Sequence, residues 1–262
     1  MKIIVCLKQV PDTAEVRINQ ETGTLIRDGV PSIINPDDKS ALEEALRLKD
    51  ELGAYVTILT MGPAQAKNAI NEGLAMGADE GILISDRAFA GSDTWATATI
   101  LTAAIEKIGD YSIIFCGRQA IDGDTAQVGP EIAEFLNLPQ ITYVKNIEVK
   151  DKNILATRYS EDGDYLYETA MPVVFTAIKE LNVPRYPRVK GIIEAFSEDQ
   201  IKVWSVEDLD VDRTQIGLKG SPTKVFKTYV PVKSKKTEMI EGNTAQEKAK
   251  NLLNNLKALK IV

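Results

Sequence analysis

The sequence predicts an α/β protein: a mostly parallel, doubly wound sheet with a small antiparallel meander, followed by an extended C-terminal arm. Three observations carry this. Five continuous apolar runs have the length of strands and no alternation, helical stripes lie between most of them, and one later stretch switches to short alternating segments. Strands buried on both faces are apolar throughout, and such strands alternating with helices form layered parallel sheets.

The strand candidates are residues 3–7 (IIVCL), 55–59 (YVTIL), 81–84 (GILI), 112–116 (SIIFC) and 173–178 (VVFTAI). The first helix is expected over residues 41–52, with Leu42, Ala45, Leu46 and Leu52 as its stripe, a capping box from Ser40 to Glu43, and Gly53 as its stop. Pro63 is expected to open the second helix and Gly77 to end it. The third runs over residues 93–108, with Ile100, Leu101, Ala104, Ile105 and Ile108 on one side and Gly109 after it. Between residues 141 and 171, ITYVKNIEV, ILATRYS and YLYETA alternate around the turn clusters KDKN and EDGD, which predicts an antiparallel meander at one edge. After Phe196 the regularity fades. Residues 217–236 carry six lysines and no acid, reading as an extended arm, and residues 244–260 form a helix with a Leu252, Leu253, Leu256 and Leu259 stripe. An arm cannot bury such a stripe against itself, so the expected organisation is an α/β domain over 1–196 and a docking arm and helix over 197–262.

Composition narrows the function. Charged residues balance at 31 basic against 38 acidic, so no overall field attracts a nucleic-acid backbone. No apolar run approaches the roughly 20 residues of a membrane span, and the opening MKIIVCLKQVPD reads as a buried strand, not a signal peptide. Membrane insertion is not expected, and the cytoplasm is the expected compartment. Cys6 and Cys116 sit in apolar stretches without metal-site spacing, as core thiols. The absence of histidine removes the commonest general base and metal ligand, so no catalytic side chain and no metal is expected, and any chemistry belongs to a cofactor.

Two loops stand out. GRQAIDGDTAQVG at 117–129 follows a strand and precedes the stripe Ile132, Ala133, Phe135 and Leu136. The N–H groups of a first helical turn lack internal partners and the helix dipole adds positive charge, so phosphate oxygens bind there, and glycines let a ligand approach closely. The helix start is open between an Asp124 and Gln127 cap and a first turn at Pro130. A glycine-bearing strand-to-helix loop also occurs in parallel α/β proteins that hold no phosphate. There is no GxGxxG after the first strand and no GxxxxGK[ST] anywhere, against a standard dinucleotide fold and against a self-contained ATP-using enzyme. NPDD at 35–38 reads either as a helix cap or as polar groups presented to an adenine or ribose, with Cys6 and Met61 on the same rim.

Along nearly the whole chain, KIIVCLKQVPDT, DGVPSIINPDD, GPAQAKNAINEGLAMGADEGI, GRQAIDGDTAQVGPEIAEFL and NVPRYPRVKGI resemble successive landmarks of electron-transfer flavoprotein beta (small) subunits. The resemblance implies an adenine nucleotide alpha hydrolase-like sheet and a heterodimer with a larger alpha subunit that holds one FAD. It implies an adenine nucleotide in this chain. That nucleotide is structural AMP in the simpler members. In the bifurcating members it is a second FAD, which takes a hydride from NADH and sends its electrons along separate routes. One route leads to ferredoxin or flavodoxin. The other leads through the alpha-subunit FAD to a dehydrogenase of acyl-CoA, enoyl-CoA or lactate type. Carried over residue by residue, the site is Cys6, Asn35, Pro36, Asp37, Asp38, Met61 and Asp122, Gly123, Asp124, Thr125, Ala126, Gln127, Val128, Gly129, Pro130, Glu131, Ile132 and Ala133. The chain departs from the simpler pattern GKQAIDDD at Arg118 and Gly123, and its run resembles the bifurcating type. Gly123 in place of an acid clears volume and charge near a pyrophosphate, and Arg118 offers a permanent planar donor. PRYPRVKGIIEA at 184–195 resembles the family's recognition loop, in which Val189, flanked by Arg185, Tyr186 and Arg188, docks on the dehydrogenase.

Overall fold

The computed structural model describes residues 1–12, 17–18, 25–26, 31–150, 153–197, 200–224, 226 and 237–261. Residues 225 and 227–236 of the lysine-rich stretch therefore lie outside the described residues.

Nine strands form one sheet: β1 Lys2–Cys6, β2 Tyr55–Met61, β3 Glu80–Ile84, β4 Ile113–Gly117, β5 Gln140–Lys150, β6 Asn153–Arg158, β7 Tyr165–Ala170, β8 Val173–Ala177 and β9 Ile201–Trp204. Their order is β7-β6-β5-β8-β4-β1-β2-β3-β9. From β5 through β8, β4, β1, β2 and β3 to β9 every neighbouring pair is parallel, while β5, β6 and β7 pair antiparallel as the expected edge meander.

The lack of alternation in the apolar runs has its reason in the two faces. Ile3, Val5, Val56 and Ile58 pack into one core with helices α1 (Pro36–Leu52), α2 (Lys67–Met76) and α5 (Val189–Ser197). Ile4, Cys6 and Leu59 face a second core with α3 (Thr94–Ile108) and α4 (Val128–Phe135). Neighbours in sequence thus enter different cores, and both must be apolar.

Three expectations need correction. Helix α1 starts at Pro36, a turn before Ala41: Asn35 takes the cap position and Pro36 the first helical one, where its missing N–H costs nothing. Ser40 and Glu43 are then interior, buried residues and form no capping box. A single 3-10 turn, Ala64–Ala66, separates Pro63 from α2. Regularity does not end at Phe196, because β9 adds a further parallel strand, Ile201 pairing with Gly81. Compact units accordingly span Met1–Lys227 and Thr228–Val262, where the sequence suggested a boundary at 196. In the second unit α6 (Ala245–Ala258) is capped by Thr244, whose hydroxyl accepts the Glu247 N–H at 3.1 Å, and Leu252, Leu253 and Leu259 remain exposed. Among the described residues no helix is long and apolar enough to cross a membrane, and no group of three or more acidic or cysteine side chains could hold a metal ion.

Candidate functional site

The chain leaves β1 and passes through α1, placing β2 on one side of β1, yet β4 lands on the other side. The carboxyl ends of β1 and β4 therefore flank a topological switch point, where connections diverge and leave a crevice. A cavity of about 420 Å³ opens there, within the size range of small-molecule sites. Cys6, Lys8, Asp38, Met61, Cys116 and Arg118 line it, with Gly123 and residues 125–129.

NPDD builds this crevice from beneath. Asn35 is fully buried: its amide donates to the Gln119 carbonyl at 2.8 Å and accepts from the Ile121 N–H at 3.1 Å. Both ends of its side chain hold the 117–123 loop, so it positions that loop and is not free to face a ligand. Asp38 accepts the Lys8 N–H at 2.7 Å and the Gly117 N–H at 3.0 Å, tying the end of β1 to the end of β4. Pro36 is exposed outside the cavity, while Asp37 faces the Arg118 guanidinium at 3.2 Å without a well-aligned hydrogen bond. Arg118 also lies over the Tyr143 ring, 5.9 Å from its centroid.

Burial pushes the carboxyl of Asp38 up to about 7 against the opposing pull of its two N–H donors, and burial raises Asp37 as well, opposed by Arg118. A carboxyl that holds its proton more tightly when folded supports the fold most below pH 4, and that support is lost as pH rises through 7. Chemical denaturation of the wild type and of Asp38→Asn between pH 4 and 7 checks this. The wild type's advantage over the variant is expected to shrink as pH rises, and a constant gap would contradict the assignment.

The 117–129 loop meets α4 in a form between the two starts left open by the sequence. Gln127 is the cap and Val128 the first helical residue, so Pro130 falls in the first turn. Asp124 does not cap: its backbone is left-handed and its N–H bonds to Ala120. Among the described residues, the N–H groups of Thr125 to Gly129 have no backbone acceptor. Ala126 holds φ at 55°, a left-handed conformation that costs a non-glycine residue about 1–2 kcal/mol. Alternating left-handed residues turn successive N–H groups toward one side and make an anion-binding concavity. Asp122 stands at the rim in an ion pair with Lys8 at 2.7 Å. Ile132 and Ala133 are fully buried in the core below the loop, so they support it and do not reach the cavity. Glu131, raised by burial, accepts the Thr94 hydroxyl at 3.1 Å.

The sequence reading missed one whole wall. Phe89 and residues 91–94 also line the cavity, and the Thr94 hydroxyl donates to Glu131, bringing the N-terminus of α3 beside that of α4. Asp93 caps α3 through the Ala96 N–H at 3.1 Å and also accepts the Thr223 N–H at 2.8 Å. GSDT at 91–94 repeats in small the signal of 117–129, a glycine and polar residues before an apolar-striped helix, and that repetition is what could have revealed it.

On the α1 side of the sheet, the 182–189 segment is anchored at Asn182, whose amide donates to the Ser40 carbonyl at 3.0 Å, and at Arg185. Arg185 donates from its backbone and guanidinium to Glu43, at 2.9 and 3.0 Å, and pairs with Asp50 at 2.8 Å. Tyr186 is 93% exposed and Val189 75%, with Arg188 between them. Arg185 is thus a brace, while Tyr186 and Val189 present apolar surface.

Sheet and crevice together define an α/β protein of the switch-point-binding class. The family model described as "Electron transfer flavoprotein domain" matches residues 22–209. The electron transfer flavoprotein subunit beta of Thermoanaerobacterium thermosaccharolyticum is 55% identical over 262 residues, all of both chains. The caffeyl-CoA reductase-Etf complex subunit CarD of Acetobacterium woodii is 50% identical over all of both chains, and protein FixA of Azotobacter vinelandii 46% identical over 95% of this chain and 91% of its own. The chain belongs to the electron transfer flavoprotein family, as a beta subunit.

Proposed function

We propose that this beta subunit binds FAD in the switch-point crevice and serves electron bifurcation. NADH is the donor, and the acceptors are ferredoxin or flavodoxin and, through an alpha-subunit FAD, a partner dehydrogenase. The observation that carries the reading is at Gly123: it lines the cavity, and a Cβ there would meet nothing within 4 Å. The protein itself does not require glycine at this position, so the open space is available to a ligand larger than a mononucleotide. The resemblance of GRQAIDGDTAQVGP to the bifurcating type supports the same reading, as does the kinship to a subunit named for a caffeyl-CoA reductase-Etf complex.

In this arrangement the chain's own residues bind and orient. The free N–H groups of Thr125 to Gly129 and the two helix N-termini receive the phosphates, Arg118 adds a permanent positive charge at the mouth, and Asp38 fixes the spacing of the strand ends. Flavin supplies the hydride and single-electron chemistry, which no side chain here provides. The exposed leucines of α6 fit a surface covered by the alpha subunit, with the unit Thr228–Val262 as the docking element, and the complex works in the cytoplasm.

The competing reading is structural AMP in the same crevice. Anaerobic addition of NADH to the heterodimer separates them: bleaching of flavin bound to this chain is expected, and a beta subunit without visible absorbance would overturn the proposal. Val189 and Tyr186 dock the dehydrogenase. Val189→Ala is expected to slow electron delivery to that enzyme about tenfold, a loss of roughly 1.4 kcal/mol of contact, with an unchanged flavin spectrum. Unaltered delivery would count against docking at this site.

A further inference from the structure

The crevice holds both of the chain's cysteines: the resemblance places Cys6 on the nucleotide rim, but no thiol chemistry is asked of it, and Cys116 has no part in that reading. Cys6 ends β1 and Cys116 is the last residue but one of the neighbouring parallel strand β4, each one step beyond the paired residues Val5 and Phe115. Both enter the same core, under α3 and α4, and both line the cavity. Both are free and buried. The strand ends cannot drift apart, because Asp38 binds the Lys8 and Gly117 N–H groups just beyond them. Adjacent strands lie about 4.8 Å apart. That spacing is within the roughly 4.4–6.8 Å between Cα atoms that a disulfide spans.

We propose that Cys6 and Cys116 are a dithiol that closes reversibly to a disulfide on reaction with a peroxide, forming a redox modification site in the floor of the crevice. One thiolate attacks the peroxide O–O bond, forming a sulfenic acid and releasing hydroxide. The second sulfur then forms the S–S bond and displaces the sulfenic oxygen as water. Two thiols lose two electrons and two protons, and hydrogen peroxide becomes two waters. The neighbouring Cys6, and then burial, push the Cys116 thiol up, so reaction at neutral pH is slow. The Cys116 sulfur lies 3.7 Å from where a Cβ on Gly129 would stand, beneath the first turn of α4. Drawing the sulfurs to a bond of about 2.05 Å rearranges the floor under that turn. Its effect on a bound nucleotide rests on the reading above, whereas the disulfide itself does not.

The test treats the full, reduced chain with hydrogen peroxide, alkylates remaining thiols in denaturant, and maps the peptides by mass. One cross-linked pair joining Cys6 to Cys116 is expected, two hydrogens lighter than the reduced peptides, lost on addition of dithiothreitol and absent from Cys6→Ser and Cys116→Ser. Oxidation of Met239, which is 84% exposed, reports that the peroxide has acted. The proposal is overturned if Met239 is oxidised while both thiols still alkylate, or if the two cysteines accumulate as separate sulfinic acids. Nucleotide content, measured on the same sample, is an independent readout, so loss of the nucleotide reading and loss of the cross-link are distinguishable.

Discussion

Gly117→Ala is expected to destabilise the protein by about 3–5 kcal/mol, combining overpacking with a lost hydrogen bond to a carboxylate. A Cβ on Gly117 would stand 2.1 Å from Oδ1 of Asp38, 2.7 Å from the Asp38 nitrogen and 2.8 Å from the Asp37 carbonyl carbon. Two of those atoms are backbone of the first turn of α1, which cannot yield as a side chain does. Either α1 lifts from β4, breaking the Gly117 N–H bond to Asp38, or the end of β4 bends out of the sheet. Both routes open the crevice, so nucleotide is lost together with stability. Gly123→Ala is the matched control, since it adds the same methyl where nothing stands within 4 Å. Urea denaturation of the two variants checks the pair: a Gly117→Ala protein within 1 kcal/mol of the wild type would contradict the packing account.

Gly123→Asp separates binding from folding. It adds a carboxylate to open space at the crevice, so stability is expected to stay within 0.5 kcal/mol of the wild type, as for surface changes generally. Retention of FAD should fall about 100-fold, because a like charge beside the pyrophosphate costs roughly 3 kcal/mol. Gly123→Ala, which adds volume without charge, should lose far less. Equilibrium dialysis with FAD measures the difference, and a Gly123→Asp protein that keeps its full FAD would remove the argument from Gly123.

What the sequence revealed and what it hid follow from where each signal resides. Strands β1 to β4 and β8 were legible because burial on both faces writes itself as unbroken apolar runs, and the meander because one-sided burial writes itself as alternation. Strand β9 was not, since only Ile201 of its four residues is buried and pairing with β3 at the sheet edge demands little of the others. The 117–129 loop stood out by its glycines, but its partner wall at 91–94 showed only as the start of the third helix. Only the convergence of α3 and α4 on one face turns that helix start into part of a site. Asn35 shows the opposite limit. Its motif was visible, yet its use, bracing Gln119 and Ile121 across 84 and 86 residues of sequence, is a property of the folded contacts alone.

A count of the nucleotides released from the heterodimer of this chain with its alpha subunit, by chromatography and mass, decides between FAD and AMP in the crevice. Two FAD and no AMP per heterodimer is the predicted result, one FAD in each subunit. One FAD with one AMP would contradict it and leave this chain a structural and docking subunit.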